Sequence, residues 1–536
     1  MRHWRINLIL IVIFLLGLVL LGRLFFIQVL RGDFYKALAQ GLSIIEERQG
    51  ERGEIFFKNE EPLAINNDWP LVFSSPAEIK DKEKTAESLA EILHLDKNSI
   101  LEKFQEDSLY VVIKKRLTDE DIENLKKTNL AGIYLGKESG RYYPQANLAS
   151  EVIGFLGADD SGQYGLEAYY NEILQGRKNS KGSDLILTLD YSIQFKAEQL
   201  LEAAKEKLNF EGGEIMVIEP HSGRIFASAV FPNFNPNKYS EVSDFDIFQN
   251  PSTQKIFEPG SVFKPITMAS ALNEGKITPS TTYTDPGAIK ISGFTIFNYG
   301  QRVYPGKITM TEVLEKSINT GAVFAEQQLG SNLFLKYIEK FGIFEPTGID
   351  LREIYSENKE FKKGYEINFV TASFGQGIEM TPIQLARAYC AIANGGKLVR
   401  PYIVEKIKSQ NELLEIKPKI EAHSIISPKT ASQLTAMLVN VVENGFAKSA
   451  KIPGYYIAGK TGTAQISWPA LKINKKGYSE KTWQSFVGFA PAFNPRFLIL
   501  IKLDNPETKT AEYSAVPIFH DLAKYIIDYW QILPDY

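Results

Sequence analysis

The chain has 536 residues, 44% hydrophobic and 23% charged, the composition of a folded protein with room for two or three domains and at least one large core. Sixty basic against sixty-four acidic side chains leave a net charge of −4, which excludes a global electrostatic footprint for nucleic acid. A single cysteine, Cys390, excludes an internal disulfide framework and a multi-cysteine zinc site, and the five histidines (His3, His94, His221, His423, His520) lack metal-binding spacing, so no metal or other cofactor is expected.

Ile6 to Gly22 is an uncharged apolar run of seventeen residues, about 26 Å long as a helix. After Arg23 the run resumes from Leu24 to Leu30, so a transmembrane anchor is expected over 6–30, behind a cytoplasmic tail of residues 1–5, with Arg23 snorkelling toward the interface. A cleaved signal peptide is the alternative. Its best site, Ala37-Leu38-Ala39, is separated from the apolar run by Arg31, Asp33 and Lys36, which favours an uncleaved anchor. Arg2 and Arg5 on one flank face Arg23, Arg31 and Lys36 on the other, so basic-residue bias decides little; long carboxy-terminal domains translocate largely regardless of charge.

Residues 31–181 alternate strand-like runs (53–57, 109–114, 133–135) with helical patterns (83–95, 118–127), the marks of a small mixed α/β domain without catalytic chemistry. The polar, basic segment 175–184 suits a linker, and a second domain is expected over 182–536. This begins with an amphipathic helix at 192–208 and a hairpin of strands 214–219 and 224–230 turning at Pro220-His221-Ser222-Gly223. Helices are expected at 261–272, 311–329, 382–393 and 428–442, strands at 455–458, 485–490 and 497–503, and a closing helix at 516–530. The simplest assembly is α+β, with early and late strands joined in one antiparallel sheet flanked by helices.

Three short motifs fall on this scaffold: Ser261-Val262-Phe263-Lys264, Ser317-Ile318-Asn319 and Lys460-Thr461-Gly462. Ser-x-x-Lys and Ser-x-Asn each occur three times in the chain, so context decides. Glu258-Pro259-Gly260 introduces Ser261 and an apolar helix follows, placing Ser261 at a helix start with Lys264 one turn later on the same face; a plain helix cap is the bland reading. Such a pair suits nucleophilic acyl transfer, because a serine hydroxyl needs a base within reach. Lys264 qualifies as that base if burial and the nearby charge of Lys460 disfavour its protonation. Ser317 then relays the proton to the leaving amine, and Asn319 orients Lys264 and a substrate amide. Thr461, Gly462 and Thr463, on an edge strand, offer hydroxyls and backbone N–H groups to an extended peptide and its carboxylate, and the N–H groups of Ser261 and Thr463 suit an oxyanion hole.

Gly454 to Thr461 also fits the phosphate-loop pattern G-x-x-x-x-G-K-T. Its context disfavours an NTPase, since no buried strand precedes it and 462–469 is a poor helix start.

Taken in order, SVFK, SIN and KTGT resemble the active-site triplet of serine penicillin-binding proteins and β-lactamases. Arg52-Gly-Glu-Ile55, Arg141-Tyr-Tyr-Pro144, Ile153-Gly-Phe155, Gly165-Leu-Glu167, Thr347-Gly-Ile-Asp350, Ser373-Phe-Gly-Gln-Gly377 and Gly488-Phe-Ala-Pro491 extend the resemblance to class B penicillin-binding proteins over nearly the whole chain. The resemblance implies a bitopic cell-wall D,D-transpeptidase with a pedestal domain at 31–181, a penicillin-binding domain at 182–536 and its catalytic part outside the cytoplasmic membrane. Ser261 would be the nucleophile, Lys264 the base, Ser317 and Asn319 the second motif, and Lys460 to Thr463 the carboxylate-binding strand. Stem peptides and β-lactams are the implied ligands, a polytopic glycosyltransferase and other division or elongation proteins the implied partners, with the division role favoured. No Glu-x-x-Leu-Asn occurs, so a lactamase's deacylating glutamate is not evident. A β-lactam sensor is disfavoured by the five residues before the anchor; a mainly structural role is the other alternative.

Overall fold

The computed structural model describes residues 3–30, 32, 35, 50–128, 130–176, 180–421 and 423–536. Ala37-Leu38-Ala39 therefore lies outside the described residues. Asn7–Val29 is long and apolar enough to cross a membrane, and none of its most apolar stretch is buried against protein.

The chain divides into two units. One comprises 1–53, 64–142 and 175–183; the other 54–63, 143–174 and 184–536. Segments 54–63 and 143–174, which precede the expected linker, thus belong to the second unit. In the first, the Pro62–Ser74 strand pairs from Ile65 onward with Ile133–Tyr142 and from Val72 onward with Val111–Lys114, all antiparallel. That long strand was not expected, because Asn66-Asn67-Asp68 and Pro70 are poor strand formers; ten cross-strand pairs with Ile133–Tyr142 override the local preference. Helices Lys82–Leu93 and Lys97–Lys103 start where the Asp81 and Asp96 carboxylates accept the N–H groups of Lys84 and Ser99. They bury Leu89, Leu93, Ile100 and Phe104 against Val72 and Ile113 of the strands.

The second unit is built on a five-stranded antiparallel sheet in the order Ala458–Ser467, Tyr478–Ala490, Phe497–Asp504, Gly212–Ile218, Ile225–Phe231, so early and late strands do share one sheet. The expected strand 455–458 is displaced. Gly454 turns the backbone through φ +87° and the Tyr455 hydroxyl donates to the Ile532 carbonyl, so the true edge strand starts at Ala458 and continues through all of Lys460 to Thr463.

Strand alternation sorts the two faces. Phe486 stacks edge-on against Phe519 of the closing helix Ala515–Tyr529, whereas its neighbour Ser485 points the other way, toward Gly462 and Val262. On that second face Glu214 and Lys502, both almost wholly buried, form an ion pair at 3.3 Å across adjacent strands. Lys502 also reaches Asp504 at 2.7 Å, and the Ser252 hydroxyl donates to Glu214 at 2.6 Å.

Candidate active site

The segment 258–264 meets the edge strand where two glycines allow close approach. Gly260 adopts φ +62°, a left-handed conformation favourable to glycine, and a Cβ there would lie 2.9 Å from the Ala464 Cβ. Its N–H donates to the Gly375 carbonyl. A 3₁₀ turn over Gly260–Phe263 follows and becomes an α-helix from Lys264 to Asn273, with Pro265 in its first turn. Ser261 therefore sits in the tight turn before the α-helix, and Lys264 opens the helix proper. The turn is held from behind by the Tyr389 hydroxyl, which donates to the Val262 carbonyl at 2.6 Å.

The single helix expected over 311–329 is two. A capping box of Thr309 and Glu312 starts Met310–Glu315, and a second helix runs from Asn319 to Leu329. Between them Ser317 takes φ +52°, a left-handed conformation that costs a side-chain-bearing residue about 1 kcal/mol or more. The turn directs both the carbonyl and the hydroxyl of Ser317 at Lys264. Apolar periodicity carries no signal for such a break, because Ile318 stays buried and keeps the helical pattern.

Lys264 is the hub. Its Nζ lies 3.0 Å from Ser261 Oγ, 3.2 Å from Ser317 Oγ, 2.6 Å from the Ser317 carbonyl and 2.8 Å from Asn319 Oδ1. A neutral amine has two hydrogens and one lone pair. The two carbonyl-type oxygens can accept only, so they take the hydrogens and leave the lone pair for a hydroxyl. Asn319 is itself fixed by donating from Nδ2 to the Phe297 carbonyl at 2.9 Å. Lys460 Nζ donates to Ser317 Oγ at 2.9 Å and to the Thr461 carbonyl at 3.1 Å.

Among the described residues no carboxylate balances the two lysines. Lys264 is fully buried; burial above all, and then the charge of Lys460, hold its amine well below the usual lysine range. Burial also brings Lys460 down to about 7.

Ser261, Ser317, Asn319, Thr461 and Thr463 line one cleft of about 800 Å³. Gly462 lies beneath it: a Cβ there would stand 2.5 Å from Ser485 Oγ and 3.0 Å from both the Pro259 carbonyl and Val262. Gly462→Val should accordingly push the 258–264 turn off the strand, destabilise the second unit by about 1–3 kcal/mol and slow acylation at Ser261 at least tenfold. Thermal denaturation and stopped-flow acylation check this, and unchanged values would refute the tight contact.

All eight residues singled out in the sequence are thus brought together. The Ser373–Gly377 run, which carried only the family resemblance and had no assigned role, supplies the Gly375 carbonyl that anchors Gly260. Tyr389 and Phe297 went unnoticed because one sits in an apolar helix and the other contributes only its backbone. The phosphate-loop alternative is overturned: its lysine lies inside a strand that runs on to Ser467, and no helix N-terminus follows the glycine to receive a phosphate.

Comparison with known proteins finds relatives over most of the chain. The penicillin binding protein transpeptidase domain family matches residues 213–524, and the penicillin-binding protein dimerisation domain family matches 47–184. The chain is 32% identical to stage V sporulation protein D of Bacillus subtilis, over 90% of this chain and 79% of that protein. It is also 32% identical to the peptidoglycan D,D-transpeptidase FtsI homolog of Mesostigma viride, over 99% and 96%. Among solved structures, penicillin binding protein 3 from Mycobacterium tuberculosis complexed with aztreonam matches with a TM-score of 0.72 and 26% identity, covering 91% of this chain and 98% of that one.

Proposed function

From the premise that the chain belongs to the penicillin-binding protein transpeptidase family, we propose that Ser261 is the residue that carries its acyl group and Lys264 the base that activates it. The protein is a peptidoglycan D,D-transpeptidase of the FtsI type. What supports the residue assignment is one observation: a buried, depressed lysine amine 3.0 Å from a serine hydroxyl, its hydrogens already committed to two carbonyl oxygens.

The chemistry follows from that arrangement. Lys264 takes the Ser261 proton as Oγ attacks the carbonyl of the penultimate D-alanine, and the developing oxyanion faces the N–H groups of Ser261 and Thr463. The C–N bond to the terminal D-alanine breaks, and its nitrogen receives a proton through Ser317, whose hydroxyl lies between Lys264 and Lys460. The amine of a neighbouring stem peptide then attacks the ester, loses its proton to Lys264, and Ser261 regains its own. Lys460 with Thr461, Gly462 and Thr463 holds the substrate's terminal carboxylate. A β-lactam follows the first half only, because its cleaved amine stays tethered.

Residues 6–30 act as a single-pass anchor in the cytoplasmic membrane behind a tail of residues 1–5, with 31–181 as pedestal and 182–536 as catalytic domain outside the cytoplasm. A polytopic glycosyltransferase is the fitting partner, and septal division is favoured over elongation, in keeping with the FtsI names of several relatives. Mass spectrometry after benzylpenicillin treatment tests the central assignment. One adduct on the Ser261 peptide is expected; an adduct elsewhere, or none, would overturn it.

A further inference from the structure

We infer that Arg302 is a carboxylate-binding subsite that makes this enzyme prefer acyl-donor peptides bearing a free side-chain carboxylate over the same peptides amidated there. The inference rests on the transpeptidase reading above and deepens it by naming a feature of the donor.

Arg302 lines the same cleft as Ser261, Ser317 and Asn319. Its guanidinium lies 5.8 Å from the Phe446 ring centroid, and among the described residues it has no carboxylate within ion-pair distance. Lys316, which also lines the cleft, is already paired with Glu312 at 2.8 Å. The cationic wall next to the second motif thus has one group committed within the protein and one left for a ligand.

The loop that carries Arg302 is built to hold still. The buried Asp285 carboxylate accepts from Asn298 Nδ2 at 2.9 Å, from the Tyr304 N–H at 2.9 Å and from the Thr320 hydroxyl at 2.6 Å. Asn298 Nδ2 also donates to the Arg302 carbonyl at 3.0 Å, and Asn298 Oδ1 accepts from the Thr320 N–H. Thr320 follows Asn319 in the chain, and Asn319 donates to the Phe297 carbonyl at the start of the same loop. One carboxylate therefore fixes both ends of the 298–304 segment to the helix that carries the second motif. The backbone so held fixes where the exposed Arg302 side chain starts from, and its planar fork fits a carboxylate with two parallel hydrogen bonds.

Lys509, a further cation on the cleft without an ion pair among the described residues, offers a single ammonium on a flexible stem instead of a planar fork. That difference assigns the discriminating role to Arg302.

The test uses the full chain in detergent and two synthetic peptide thioester donors that differ only in a free or amidated side-chain carboxylate at the residue before the acyl-donating D-alanine. Thiol release gives kcat/KM for each. Wild type should prefer the free acid about tenfold. Arg302→Gln should abolish that preference by lowering kcat/KM for the acid alone, Arg302→Lys should restore part of it, and Lys509→Gln should retain it. Equal use of both donors by wild type, equal losses on both donors in Arg302→Gln, or loss of preference only in Lys509→Gln would each overturn the assignment. Benzylpenicillin acylation of wild type is read in parallel. Its absence would refute the transpeptidase reading itself, whereas normal acylation with no donor preference would refute only the subsite.

Discussion

Ser261→Ala abolishes covalent labelling by fluorescent penicillin and leaves the fold intact. The hydroxyl is the only group lost, and the Lys264 amine keeps both of its carbonyl partners, so no buried donor is stranded. The melting temperature should stay within about 2 °C of wild type, the range of a substitution that opens no core cavity. Gel fluorescence and thermal denaturation on the same preparation check both halves. Labelling of the Ser261→Ala variant at native stability would refute the nucleophile assignment. Complementation adds a biological readout: a cell kept alive by Ser261→Ala alone would show that the protein's indispensable role is structural.

Lys264→Met is expected to slow penicillin acylation by about 10²–10⁴-fold, the usual contribution of a positioned base. Stability should fall by no more than about 1–3 kcal/mol, the cost of leaving the Ser317 carbonyl and Asn319 Oδ1 without their donor. Methionine fills much of the same volume without an amine to desolvate, and Lys264 is wholly enclosed. The pH–rate profile separates a base from a spacer. An ordinary lysine would make acylation climb steadily toward about pH 10, whereas an amine depressed by burial has already lost its proton at lower pH, so the wild-type acid limb lies well below about 10. The same depression means that the unfolded chain binds the proton over a range in which the native protein does not. Stability from this group therefore rises with pH through that range, and Lys264→Met should flatten the slope. A wild-type limb near the ordinary lysine value, or a Met variant of wild-type speed, would rule Lys264 out as the base.

The legible part of the site was the part written in short local spacing. Ser261 and Lys264 are three apart on consecutive helical turns, and Lys460 to Thr463 lie in one strand, so the linear pattern already contains their geometry. The second motif was legible as chemistry and misread as structure, since a left-handed residue between two apolar helical stretches leaves the hydrophobic period undisturbed. The same limit hid the Pro62–Ser74 strand, where cross-strand pairing outweighs the local preference of Asn, Asp and Pro. Longer-range brackets were visible only as motifs. Arg141, part of the Arg-Tyr-Tyr-Pro run, donates to the Gly53 carbonyl 88 positions away, a contact that no local pattern encodes.

The buried Glu214–Lys502 pair has a further consequence, for the way the chain finds its alignment. Glu214 stands opposite Lys502, Lys502 opposite Ser485, and Ser485 opposite Gly462, so four strands are joined along a single cross-strand row that ends at Gly462 beneath the cleft. Were the Phe497–Asp504 strand to dock one position out, Leu503 or Ile501 would face Glu214 and an ionised carboxylate would be sealed against hydrocarbon, at a cost of several kcal/mol. Apolar strands as uniform as this one tolerate misdocking on hydrophobic grounds alone. One charge pair outside the cleft thus penalises the shifted pairings, and by doing so holds Lys460 on the correct side of Ser261.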